Sequence, residues 1–141
     1  MLELAILATL VVSATAFVAA GSRALSRAER GELGGRRRFL AAFDGSTLPA
    51  ELLVQAYETL ARRVGPSVRE IRPADRMGET LGMSDMDVED VALLIAARCE
   101  ARIPTARDLD ELGARARTVD DLVRFLAPFC TTAPVRLVAG Y

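Results

Sequence analysis

Few side chains in this 141-residue chain can do chemistry. It has no His, and all eighteen of its cations are Arg, set against nineteen Asp and Glu. The commonest general base and the commonest metal ligand are therefore absent. One short stretch concentrates what is left: Leu81-Gly82-Met83-Ser84-Asp85-Met86-Asp87, continued by Glu89 and Asp90. There a single hydroxyl, Ser84, sits among carboxylates. The two thiols, Cys99 and Cys130, lie too far apart for a redox CxxC motif and are too few for a disulfide framework, so reduced cytoplasmic thiols are expected. Cys99 falls on an apolar helical stripe, which suits a core position better than a nucleophile. Asp108, Asp110 and Glu111 are close together, yet they lack the Gly and the spacing of a calcium loop. No Gly-rich loop follows a strand, so no phosphate cradle is implied. Arg62-Arg63 and the arginines at 115 and 117 read as solvated faces. The net charge of -1 gives no field directed at nucleic acid. No nucleophile can be paired with a base, and neither an enzyme nor a metal site is expected.

The elements that position this stretch read as helices. Leu53, Ala56, Tyr57, Leu60 and Val64 follow helical spacing and define one apolar face. Ser46 or Thr47 is expected to cap that helix, with Pro49 in its opening turn and Gly65-Pro66 at its end. A loop rich in Arg, Pro and Gly runs from Ser67 to Leu81. In the next helix Val88, Val91, Ala92, Ile95 and Cys99 form the buried stripe, and Ile103-Pro104 breaks it. A short turn, Arg107 to Leu112, is expected to stop at Gly113. Thr118-Val119-Asp120-Asp121 resembles a capping box, after which Val119, Leu122, Val123 and Leu126 are expected inside, ahead of Pro128. No alternating pattern is long enough to build a sheet. The fold class expected is all-α: a small bundle of three main helices plus one short one, about 90 residues, enough for a single core.

Within that frame Ser84 has a structural role at hand. The Ser84-to-Asp87 spacing suits an N-cap hydroxyl answered by a carboxylate at the third helical position. Asp85, Asp87, Glu89 and Asp90 then crowd the first turns of the helix. Carboxylates there offset the helix dipole by about 0.3–1 kcal/mol each. Four in six residues exceed what a cap requires, and an exposed anionic face suits docking to a basic protein surface.

The amino-terminal region has a different character. Leu4 to Gly21 is eighteen residues without a charge, near the minimum for a membrane-spanning helix. A cleavable signal peptide is the rival, because Val18-Ala19-Ala20 ends in small residues. Against it, Glu3 stands where a basic segment belongs, and the arginines (Arg23, Arg27, Arg30, Arg36, Arg37, Arg38) all follow the apolar run. That asymmetry places the amino terminus outside and the rest in the cytoplasm, a single-pass protein of the cell (inner) membrane. Ala5, Thr9 and Ser13 recur every four residues, a small-residue stripe through which the span could pack against other subunits of a membrane complex. The organisation expected is thus a transmembrane helix over 1–21, a basic juxtamembrane linker over 22–46, a helical domain over 47–130 and a tail over 131–141. In the linker Gly31 and Gly34-Gly35 are expected to interrupt any helix. Arg36, Arg37 and Arg38, followed by Phe39, Leu40 and Phe43, suit contact with anionic lipid, although an ordinary stop-transfer flank explains them as well.

Over Leu48 to Ala127 the order of elements resembles an acyl carrier protein. The fragments that carry the resemblance are Ile71-Arg72-Pro73, Leu81-Gly82, Asp87, Ile103-Pro104 and Thr118-Val119, in family order and at matching intervals. In that family an Asp-Ser-Leu motif opens the second helix, and its serine carries 4'-phosphopantetheine. Aligned on Leu81-Gly82 without gaps, Ser84 falls on the motif's Asp, Asp85 on its Ser and Met86 on its Leu. A carboxylate cannot form the phosphodiester, so the resemblance implies a carrier shape without the prosthetic arm. It also implies that the acids at the helix start dock on basic patches of partner enzymes. The function expected is a non-catalytic, membrane-anchored accessory or adaptor subunit with a pseudo-acyl-carrier domain. The alternative is a working membrane-tethered acyl or peptidyl carrier modified at Ser84.

Overall fold

A computed structural model describes residues 31–65 and 70–131 of the chain. The expected transmembrane helix with Ala5, Thr9 and Ser13, the linker before residue 31 and the tail from residue 132 lie outside the described residues. Among the described residues no helix is long and apolar enough to cross a membrane. The chain divides into two compact units, Met1–Gly34 and Gly35–Tyr141. Of the first unit only residues 31–34 are described, and they are helical.

The described elements of the second unit are all helices, in agreement with an all-α class. They are α1 (residues 35–41), α2 (Ala50–Val64), α3 (Asp85–Arg98), α4 (Ala106–Arg115) and α5 (Val119–Thr131). α2 packs against α3 and α5, α3 also against α4 and α5, and α4 against α5. The apolar faces that define α2, α3 and α5 in the sequence are the ones that meet: Leu60, Ile95, Leu122, Val123 and Leu126 have no exposed surface. Leu52, which falls outside the simple apolar stripe of α2, is equally buried.

α1 departs from the sequence reading, which has Gly34-Gly35 interrupting any helix. A glycine in a helix interior costs about 1 kcal/mol relative to alanine. Here tertiary packing outweighs it, because Phe39 is 1% exposed and Phe43 is 5% exposed. Their rings stand edge-on at 5.2 Å, and Phe39 also tilts against Tyr57 at 5.4 Å. Gly35 is the contact that lets this happen: a Cβ there would collide with the Tyr57 hydroxyl. Phe39 and Phe43, which beside the arginines suit a lipid interface, are core residues. Of the three arginines in that stretch, Arg36 pairs with Glu58 at 3.4 Å and Arg38 with Glu70 at 2.8 Å, while Arg37 is exposed.

The helix ends show further differences. α2 is not capped by Ser46 or Thr47: its N-cap is Pro49, with no side-chain bond. The Ser46 hydroxyl is instead buried without a hydrogen-bond partner among the described residues. α4 is longer than the turn expected and runs on through Gly113, started by a capping box between Thr105 and Asp108. α5 begins as the sequence indicates, with the Thr118 hydroxyl accepting from the Asp121 amide at 3.2 Å and the Asp121 carboxylate accepting from the Thr118 amide at 2.9 Å. It continues past Pro128 because Phe129, 7% exposed, still has a place in the core under the Arg102 guanidinium, 4.4 Å from the ring centre.

The connection from α2 to α3 is fastened although it has no periodicity. Ile71, Met77, Leu81 and Met83 are each at most 7% exposed. The Met77 amide donates to the Arg117 carbonyl at 3.0 Å, the Val119 amide to Asp75 at 3.1 Å and the Asp120 amide to Pro73 at 2.9 Å. The loop is thereby tied to the α4–α5 junction, and Gly82, at φ 66°, makes the last turn before α3.

Candidate docking site at the start of α3

Ser84 is the N-cap of α3, and both halves of a capping box are present. Its hydroxyl accepts from the Asp87 amide at 3.2 Å and donates to Asp87 Oδ2 at 2.9 Å. Its backbone N–H also donates to Asp87 Oδ2, at 2.8 Å. Arg63 of α2 pairs with Asp87 Oδ1, so the carboxylate has partners on both oxygens. Arg63 and the Ser84 donors hold the Asp87 carboxyl down at about 2. A carboxylate that acidic is a poor base near neutrality, and Ser84 gains no activation from it. The pair is a helix cap in chemistry as well as in position.

Asp85 follows as the first residue of α3, exposed to solvent. With Glu89 it lines a cleft of about 130 Å³ between the Arg76–Met83 loop, the start of α3 and the end of α4. Arg76 and Arg117 stand at the cleft on the loop and junction side. Asp90 lies around the helix, at a second cleft of about 230 Å³ between α2 and α3, where Arg62, Arg63 and Arg98 are the cations. The four acids therefore do not make one uniform face. Asp87 is spent on the cap and on Arg63, whereas Asp85, Glu89 and Asp90 form no ion pair among the described residues. Two of the three free acids look toward one cleft and the third toward the other.

The remaining chemical groups are occupied elsewhere. Asp108 is drawn below its usual range by the backbone and hydroxyl of Thr105, and Asp121 by the backbone amides of Arg117 and Thr118. Among the described residues no group of three or more His, Cys, Asp or Glu could hold a metal ion. The sequence offers no sign that the two thiols are neighbours, yet Cys99 and Cys130 stand beside one another. Burial, with the neighbouring Cys130, pushes the Cys99 thiol up to about 12, which leaves almost no thiolate near neutrality. The cation-lined α2–α3 cleft has no signature in the sequence either, because Arg62 and Arg98 come together only through the pairing of two helices. No family model matches this chain, and no curated protein or solved structure matches it either.

Proposed function

We propose that the protein is a non-catalytic accessory subunit, a pseudo-acyl-carrier domain held at a membrane by its amino-terminal apolar segment and docking a basic protein surface at the start of α3. The observation that carries the reading is the division of labour at that helix start. Ser84 is consumed as a cap, and the position aligned with the modified serine of the carriers is a carboxylate, Asp85, exposed and without an ion pair among the described residues. Asp85 and Glu89 present uncommitted negative charge beside the loop cleft, which suits steering and registering a cationic partner. The apolar run Leu4 to Gly21 and the arginines after it support the membrane location and a cytoplasmic domain.

Two measurements test this. Incubation with a phosphopantetheinyl transferase and coenzyme A should leave the intact mass unchanged. A gain of one phosphopantetheine arm, lost in Ser84→Ala, would replace the adaptor reading with that of a working carrier. Affinity isolation of the full chain from its native membrane in mild detergent should recover one or more other subunits. Reversing Asp85 and Glu89 to Arg should lower that recovery about tenfold, the scale of a broken charge complementarity. Equal recovery would remove the acidic helix start from the account.

A further inference from the structure

The side of α3 turned away from the core carries an ordered series in which no carboxylate–cation pair forms among the described residues. Val88, Val91, Ala92, Ile95 and Ala96 are buried, while Met86, Asp90, Leu94 and Ala97 are exposed. Met86 is 73% exposed and Leu94 51%. Met86, Asp90, Leu94 and Arg98 follow one another at intervals of four and so form one ridge that winds gently about the helix, successive members about 6 Å apart. Read from the amino end the line is apolar, acidic, apolar, basic. Among the described residues Asp90 forms no ion pair, its charge acting only across the cleft on Arg63, and the Arg98 guanidinium meets no carboxylate, its hydrogen bond being to the Thr59 hydroxyl at 3.2 Å. The α2–α3 cleft beside the line is cationic toward the end of α3, whereas the start of the helix is anionic.

Such a line is complementary to itself when reversed. We propose that α3 is the seam of a two-fold homodimer, in which a second copy of this chain lies antiparallel along Met86, Asp90, Leu94 and Arg98. An axis crossing the helix midway between Asp90 and Leu94 sets Asp90 opposite the partner's Leu94. Helical side chains lean toward the amino end of their own helix. That leaning carries Leu94 onto its symmetry mate at the axis and closes Asp90 on the partner's Arg98. The same contact occurs twice, as an isologous interface requires. Met86 then covers the aliphatic stem of the partner's Arg98, and Ala97 leaves room for close approach. Antiparallel helix dipoles add to the pairing rather than oppose it. A seam of one helix is below the size of a stable obligate interface, so the dimer is weak and depends on concentration. The surface is separate from the Asp85–Glu89 docking face, which stays open at the loop cleft.

The test is a charge swap read by sedimentation velocity on the full chain in mild detergent. The wild-type chain should move from monomer to dimer as its concentration rises. Asp90→Arg alone and Arg98→Glu alone should each weaken the dimer about tenfold or more, because each sets like charges together twice. Mixing these two variants should restore association, since in the mixed pair both contacts become Arg against acid. Leu94→Asp, at an exposed position that leaves both charges of the line in place, should also dissociate the pair. The proposal is overturned by a wild-type chain that stays monomeric throughout, by a dimer indifferent to the single reversals, or by a mixture that fails to associate while both variants retain wild-type helical circular dichroism.

Discussion

Glu100 holds φ at 51°, the one described non-glycine residue in the left-handed region. It sits just past the Cys99 C-cap, where the Ala101 amide reaches back to the Ala96 carbonyl at 3.0 Å and closes α3 in a Schellman-type turn. Glycine is the usual occupant, because an L side chain there costs about 1–2 kcal/mol. Glu100 also adds negative charge at the negative end of the helix. Glu100→Gly is expected to raise stability by about 0.5–1 kcal/mol, read as a higher urea midpoint at unchanged m-value. Ser46 gives a second case. Its buried hydroxyl has no partner among the described residues, and Ser46→Ala should stabilise by about 1 kcal/mol by removing an unmet desolvation penalty. At Gly35 the sign reverses, since a larger residue meets the Tyr57 hydroxyl and Gly35→Val should destabilise by about 1–3 kcal/mol on the same assay. None of these three positions declares itself in the sequence. A glycine before an arginine run reads as a breaker until a tyrosine from another helix is found above it.

At the level of elements, α3, α4 and α5 begin with one device, a Ser or Thr answered three residues later by Asp: Ser84 with Asp87, Thr105 with Asp108, Thr118 with Asp121. Two of the three are legible from spacing alone. The third was hidden because Ile103-Pro104 signals a break and Gly113 a stop, so the segment between them reads as a turn rather than as a ten-residue helix. Thr118→Ala is expected to cost about 1 kcal/mol of stability, in the range for lost N-caps. The apolar stripes of α2, α3 and α5 are legible for a different reason, in that each repeats over several turns and periodic burial leaves a periodic record. The connection before α3 leaves none. Met77 and Met83 are buried by tertiary placement, and Leu81-Gly82 marks the place without saying what lies above it. The start of α3 is therefore readable as a capped, acidic helix end. The separation of its acids onto two clefts depends on where α2 and the loop come to rest.

For the whole molecule, the three cap carboxylates contribute to behaviour in acid, alongside Glu70, which Arg72 and Arg38 hold below its usual range. Asp87 is held near 2 against an ordinary 3.8, and Asp108 and Asp121 are lowered as well, all mainly by hydrogen bonds that exist only in the fold. The unfolded chain therefore takes up protons first as pH falls. The stability these groups contribute is complete above about pH 5 and is lost progressively toward pH 2. Urea midpoints should be flat from pH 7 to 5 and fall below pH 4. Asn at positions 87, 108 and 121 together should flatten that fall, and an unchanged acid limb in the triple variant would assign it elsewhere. The bonds that join Pro73 to Asp120, Asp75 to Val119 and Met77 to Arg117 bear on the order in which the molecule is built. They join the approach to α3 with the beginning of a helix forty or more residues further on. The start of α3 thus depends on α5 being in place, and in native-state hydrogen exchange the Met77 amide should open together with those of α5 as one cooperative unit.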